Sequence, residues 1–309
     1  MTAAESDPSR LDPVQVRRAA DRAAATYDAA AVLQREVGRR MAERLALIKL
    51  QPKVILDAGC GTGEALGELR ARYPGATILG LDVAANMLAA ARRRAGAMAA
   101  PPGPWLTRLL GAHAVPGGEI RFVCGDAARL PFAAGSFDLV WSNVVLQSIV
   151  DPGAAFTEFL RTLRVGGLLL FTTLGPDTLK ELRGAFGGVD GATHVSRFID
   201  MHDLGDLLVD TGFADPVMDA EVITLTYADG TAMMRELKAT GAQNATLGRP
   251  RGMMSRERWQ RVLARLEAFR RDGRLPATCE IVYGHAWKPA PRLAADGRAI
   301  VRFERRPER

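Results

Sequence analysis

Ten residues, Val54-Ile55-Leu56-Asp57-Ala58-Gly59-Cys60-Gly61-Thr62-Gly63, constrain this chain more than any other stretch. An apolar, β-branched run ends in an acid and then in glycines at every second position. A run apolar on both faces reads as a strand buried on both sides of a parallel sheet. Ala65, Leu66, Leu69 and Ala71 follow at helical spacing, which predicts strand, turn and helix. The glycines let backbone approach a ligand, and the helix N-terminus offers free N–H groups. The dinucleotide pattern G-x-G-x-x-G fails in both frames, because Glu64 or Leu66 stands where its third glycine belongs. Glu64 also sets negative charge where a pyrophosphate would lie. A cationic ligand suits the loop better, and Asp57 points the same way.

Three further strands end in polar groups. Ala76–Asp82 is a second buried strand, and Asp82 lies 19 residues after Gly63, the distance at which such an acid takes ribose hydroxyls. Val83 follows it, and Met87 and Leu88 lie on the next helix as an apolar wall for an adenine. Ile120–Ala127 is a third strand ending in an acid. Asp126 can accept from an adenine amino group while the N–H of Ala127 donates to the ring. Phe137–Asn143 is the fourth, ending Ser142-Asn143-Val144-Val145 rather than in the proline-proline-aromatic motif that holds a flipped base. Asp151–Arg164 reads as a crossover helix leading to a fifth strand, Val165–Thr172. Such βα repeats predict an α/β fold with a doubly wound, mostly parallel sheet. Its ligand belongs at the carboxyl ends of the strands, where Gly59, Asp82, Asp126 and Asn143 converge.

Asp12-Pro13-Val14-Gln15 is a helix start, and a helical pattern runs from it to about Leu50 with a break near Tyr27-Asp28. Tyr27 is either a core anchor or a gate over the ligand. Residues 99–118 form a proline- and glycine-rich insertion with one short amphipathic helix and His113. Met201–Gly212 is a helix ended by its glycine, and Pro216–Tyr227 and Thr278–Trp287 are strands that close the sheet. Expected boundaries are an N-terminal helical segment (1–51), a ligand-binding core (52–230), an arginine-rich helical lid (231–275), the last core strand (276–289) and a basic tail (290–309). Between Arg249 and Arg274 the lid carries nine arginines against Glu257, Glu267 and Asp272, which accounts for the chain's net charge of +6. A basic excess of this kind fits an acidic partner, or simply a solvated helical face. No apolar run reaches bilayer-spanning length, and Met1–Asp7 lacks a leader pattern. Cys60, Cys124 and Cys279 are too scattered for a disulfide framework or zinc site, so no metal and a cytoplasmic setting are expected.

The E/D-x-G-x-G-x-G loop resembles that of class I S-adenosylmethionine-dependent methyltransferases, which implies a Rossmann-like core binding S-adenosylmethionine and releasing S-adenosylhomocysteine. Later residues resemble a narrower group. Thr173–Arg183, Phe198–Asp206, Gly212–Asp219, Leu237–Asn244 and Leu275–Pro289 are similar to the BioC family of malonyl-acyl-carrier-protein O-methyltransferases of biotin (pimeloyl) synthesis. The likeness runs from about Arg17 to Pro289. Three positions depart from it: Ala20 and Ser148 stand where the family has aromatics, and Cys279 where it often has tyrosine. The resemblance implies an acidic carrier protein bearing malonyl-phosphopantetheine as partner, and neither nucleic acid nor membrane span. Tyr27 would gate the methyl group, and His202 and Arg249 would meet the malonyl carboxylate or phosphopantetheine. Alternatives left open are methylation of another small acid or quinone precursor, or a role like that of a mitochondrial complex I assembly factor that shares the P-A-T and G-x-x-W-K spacing.

Overall fold

The computed structural model describes residues 7–99, 118–250 and 252–291. The central apolar run forms strand β1 (Val54–Ala58), buried from Ile55 onward. It lies between β2 (Thr77–Asp82) and β4 (Phe137–Ser142), both parallel to it. Outside these, β3 (Ile120–Cys124) pairs with β2 and β5 (Leu163–Leu174) with β4, again in parallel. Two antiparallel strands, β6 (Ala214–Tyr227) and β7 (Leu275–Trp287), complete seven strands in the order β3-β2-β1-β4-β5-β7-β6. Chain direction along the sheet reverses between β1 and β4, the switch point at which open α/β sheets bind ligands. Both closing strands begin two or three residues before their sequence-predicted starts.

The break expected near Tyr27 divides the N-terminal segment into α1 (Pro13–Ala23), α2 (Tyr27–Ala30) and α3 (Val32–Ala46). Asp12 caps α1 by accepting from the amides of Val14 and Gln15, with Pro13 at the first helical position. Helices α4 (Leu66–Arg72), α5 (Ala85–Ala99) and α6 (Pro152–Thr162) are the crossovers, and Asp151 caps α6 through the amide of Ala154. After β5 come α7 (Lys180–Phe186) and α8 (Met201–Thr211), the latter stopped by Gly212 at φ 102°. Helices α9 (Gly230–Ala239) and α10 (Arg256–Glu267) follow β6. Their residues Met233, Val262 and Leu266 pack with Leu182 and Ala185 of α7 against Tyr227, Leu275 and Ala277. Residues 100–117 of the expected insertion, His113 among them, and residues 292–309 of the basic tail lie outside those described.

One feature crosses the expected segment boundaries. Residues 8–12, ahead of α1, run beside residues 245–248. The amide of Asp12 donates to Ala245 at 2.7 Å, and those of Leu247 and Gly248 donate to Arg10 and Pro8, each at 2.8 Å. Backbone hydrogen bonds therefore join the N-terminal strap to the loop after α9.

The core is built around Phe156 of α6, which is fully buried with its ring 5.3 Å from Phe171 and 6.5 Å from both Phe159 and Phe213. Phe156→Ala should lower unfolding free energy by about 3–5 kcal/mol in urea titration, and a loss under about 1 kcal/mol would contradict this account of the core.

Candidate active site

The turn after β1 is shaped by Gly59, Gly61 and Gly63, with φ of 81°, 52° and 80°. At Gly59 a Cβ would come within 2.3 Å of Val145 Cγ2, so only glycine fits. The amides of Gly59 and Cys60 donate to Leu81 at 2.7 and 2.9 Å, stitching the loop to β2. Asp82 completes the anchor. Its Oδ2 accepts from the Gly61 amide at 2.9 Å and its Oδ1 from the Ala84 amide at 2.8 Å. Under the loop Asp57 is buried, and its Oδ2 has no hydrogen-bond partner among the described residues. Burial, with Asp82 adding negative charge nearby, pushes its carboxyl up to about 7.

Helix α2 covers this loop. A Cβ on Gly61 would lie 4.0 Å from Tyr27 Cε1, which puts the phenol ring above the glycine turn. Burial and the carboxylates of Asp82, Asp28 and Glu64 push the Tyr27 hydroxyl well above its ordinary value, so it stays protonated. Next to it, Asp28 accepts from Thr62 Oγ1 at 2.5 Å and from Arg94 Nη2 at 2.9 Å. Arg94 also reaches Glu64 at 3.0 Å. One arginine on α5 thus clamps the covering helix to the loop, and Asp21 at the end of α1 accepts from the Asn86 amide at 3.0 Å.

Loop and cover enclose one end of a cavity of about 1000 Å³. Tyr27, Gly59, Gly61, Asp82, Val83, Met87, Asp126, Ala127 and Asn143 all line it, so the spacing-based group is brought together at the strand ends. Asp57 and Gly63 lie behind the loop. Asn143 is committed to structure: its Nδ2 donates to the Gln34 carbonyl at 2.9 Å and its Oδ1 accepts from Thr172 Oγ1 at 2.8 Å. Asp126 accepts from the Ala128 amide at 2.9 Å. Farther along, the wall turns apolar, with Leu182, Phe186, Leu225, Met233 and Leu237. Ala20, Ser148 and Cys279, the three departures from the aromatic pattern, all face this same cavity.

Two residues expected to meet substrate stand elsewhere. His202 lies in the first turn of α8 with its side chain 83% exposed and Nδ1 2.8 Å from Asp200. Its placement follows from Asp200, which caps the helix and holds the ring on the outer surface. Arg249 donates to the Thr246 carbonyl at 2.8 Å and pairs with Asp12 at 3.1 Å. It is a clasp of the strap, not a wall of the cavity. The histidine that does line the cavity is His194, held by Asp190 at 2.7 Å and stacked on Phe186 at 4.0 Å. It sits in an irregular loop where no periodicity marks it. Tyr227 and Glu236 likewise line the cavity unannounced by any motif.

Residues 56–171 match the methyltransferase domain family. The malonyl-acyl-carrier-protein O-methyltransferase of Laribacter hongkongensis is 57% identical over 94% of this chain and 96% of its own length. This chain belongs to that family. The protein of the same name from Gallionella capsiferriformans is 51% identical over 94% of this chain and 96% of its own. The YcgJ protein of Bacillus subtilis, 15% identical, superposes with a TM-score of 0.54 over 81% of this chain and 98% of its own, a likeness of fold. The chain is therefore an S-adenosylmethionine-dependent methyltransferase.

The residues of this methyltransferase fit that cofactor. An orphaned, buried carboxylate oxygen under a glycine turn calls for a cationic group, and the cavity's far wall of Val83 and Met87 suits an apolar ring. Among the described residues no group of histidines, cysteines and acids could hold a metal ion, and no helix is long and apolar enough to cross a membrane.

Asp57 also sets a pH dependence. Its carboxyl is raised on folding, so its unfavourable effect is absent below pH ~4 and grows as pH rises through about 7, where the buried group ionises. In thermal unfolding of the cofactor-free protein, Asp57→Asn should gain on wild type steadily across that window. A difference that does not change with pH would contradict the assignment.

Proposed function

We propose that this enzyme transfers a methyl group from S-adenosylmethionine to the free carboxylate of a malonyl group carried on an acidic acyl-carrier protein, in the cytoplasm and in the service of biotin synthesis. The observation that carries this reading is the single cavity that joins the glycine turn and strand-end acids to a long apolar chamber. Relatives bearing the malonyl-acyl-carrier-protein O-methyltransferase name align over 94% of the chain.

When bound, the cofactor supplies a methyl group activated on a sulfonium centre. Asp82 would accept from ribose hydroxyls, and Asp126 with the amide of Ala127 would read the adenine edge against Val83 and Met87. Gly59 and Gly61 would let backbone approach the methionine portion, Gly63 would complete the turn, and Asp57 would answer its positive charge from below. Asn143 would frame the cavity at the end of β4. Tyr27, clamped through Asp28 and Arg94, would close the site against water and position the acceptor. A malonate carboxylate is ionised at neutral pH and needs no general base, so positioning and exclusion of water supply the catalysis. The ester hides a charge that an apolar fatty-acid-synthesis site would reject.

The exposed arginines of α10, Arg256, Arg258 and Arg261, give the acidic carrier a surface to meet, with attraction that salt should weaken. Two results are expected. Mass spectrometry of malonyl-carrier protein incubated with enzyme and cofactor should find one added methyl, and acetyl-carrier protein none; no gain on the malonyl form contradicts the reaction. Arg258→Glu with Arg261→Glu should raise KM for the carrier at low salt and leave KM for malonyl-coenzyme A unchanged. Equal effects on both would remove the arginines from carrier docking.

A further inference from the structure

Beyond the cofactor end, the cavity's largely apolar chamber holds a hydroxyl–carboxylate pair among its polar features. Tyr227, at the end of β6, is 7% exposed and donates its hydroxyl to Glu236 Oε1 at 2.6 Å. Both residues line the cavity, among Leu182, Phe186, Leu225, Met233 and Leu237. Glu236 Oε2 has no partner among the described residues. Cys279 on the same wall is a packing group, its thiol pushed up to about 12 by burial. A carboxylate fixed by a tyrosine in a largely apolar wall, with one acceptor oxygen open to the cavity, can accept from a neutral N–H or O–H donor. It repels an anion.

Its place relative to the chemistry follows from the covering helices. Glu236 stands one helical turn before Ala239 and Thr240 on α9. The carbonyl of Ala239 accepts from Thr26 Oγ1 at 2.9 Å, and Thr26 adjoins Tyr27 over the glycine turn. The pair therefore lines the chamber about one helical turn beyond the point where α9 meets the covering helices. A pantetheine-type thioester carries its distal amide N–H roughly a dozen bonds from the malonyl carboxylate, about 13 Å when extended. We infer that Tyr227 and Glu236 form a receiving site for an amide N–H of the pantetheine arm, and that Glu236 turns the malonyl carboxylate away from the chamber toward the cofactor end. The inference rests on the malonyl-thioester reading above and adds the arm's place within it.

The test compares two small substrates: malonyl-pantetheine, with both amides, and malonyl-N-acetylcysteamine, which lacks the distal one. Variants are Glu236→Leu, which removes the acceptor, and Glu236→Leu with Tyr227→Phe, which also removes the hydroxyl left without a partner. Wild type should favour the full arm through KM. Both variants should lose about tenfold or more in kcat/KM with the full arm and under about twofold with the short one, the scale of a hydrogen bond to a charged acceptor. S-adenosylmethionine affinity should stay unchanged. Equal losses with both substrates, no loss with either, or weakened cofactor binding would overturn the inference. If wild type methylated neither thioester, the malonyl reading itself would fall and the inference with it.

Discussion

The carboxylate of Asp82 is the contact on which the rest of the site depends. With both oxygens it fixes backbone amides, one in the glycine turn after β1 and one in the turn after its own strand. Two neighbouring parallel strands are thereby locked at the edge where their loops must share a ligand. Each oxygen keeps a second lone pair, so the same group can hold the loop and still accept from a ribose. Burial raises the carboxyl, while the amides of Ala84 and Gly61 oppose that shift, so the anchor remains a strong acceptor.

Around this anchor the N-terminal segment works as a cover with three fastenings. Asp21 caps α5 at Asn86, Asp28 meets Thr62 and Arg94 beside the glycine turn, and the strap of residues 8–12 pairs with residues 245–248. Arg249 closes the last fastening on Asp12. The cover and the helices after β6 are joined through Thr26 and Ala239. The cover over the glycine turn and the wall of the chamber are thus tied to each other, although they come from segments far apart in the chain.

The strand-end acids, the alternate glycines and the parallel core could be read from sequence because each is a local pattern: apolar runs, turn residues and a fixed distance from Gly63 to Asp82. The two closing strands could also be read as strands, although the antiparallel order β5-β7-β6 is a matter of long-range pairing. Residues of the chamber wall were not legible in that way. Arg249 is drawn to Asp12 across 237 positions, and His202 is turned outward by an acid two residues before it. His194, Tyr227 and Glu236 reach the cavity only because α7, α9 and the loop between α7 and α8 fold over it. No periodicity in the sequence records such an arrangement.

On this reading the glycine turn, Asp82 at the end of β2 and Asp126 just after β3 hold S-adenosylmethionine beneath the clamped Tyr27 helix. A crystal structure of the complex with S-adenosylhomocysteine tests this most directly. The account predicts ribose hydroxyls on Asp82, adenine against Val83 and Met87 with its edge at Asp126 and Ala127, and the amino group above Asp57. Product bound outside the cavity, or inside it with Asp82 still engaged by backbone alone, would contradict the account.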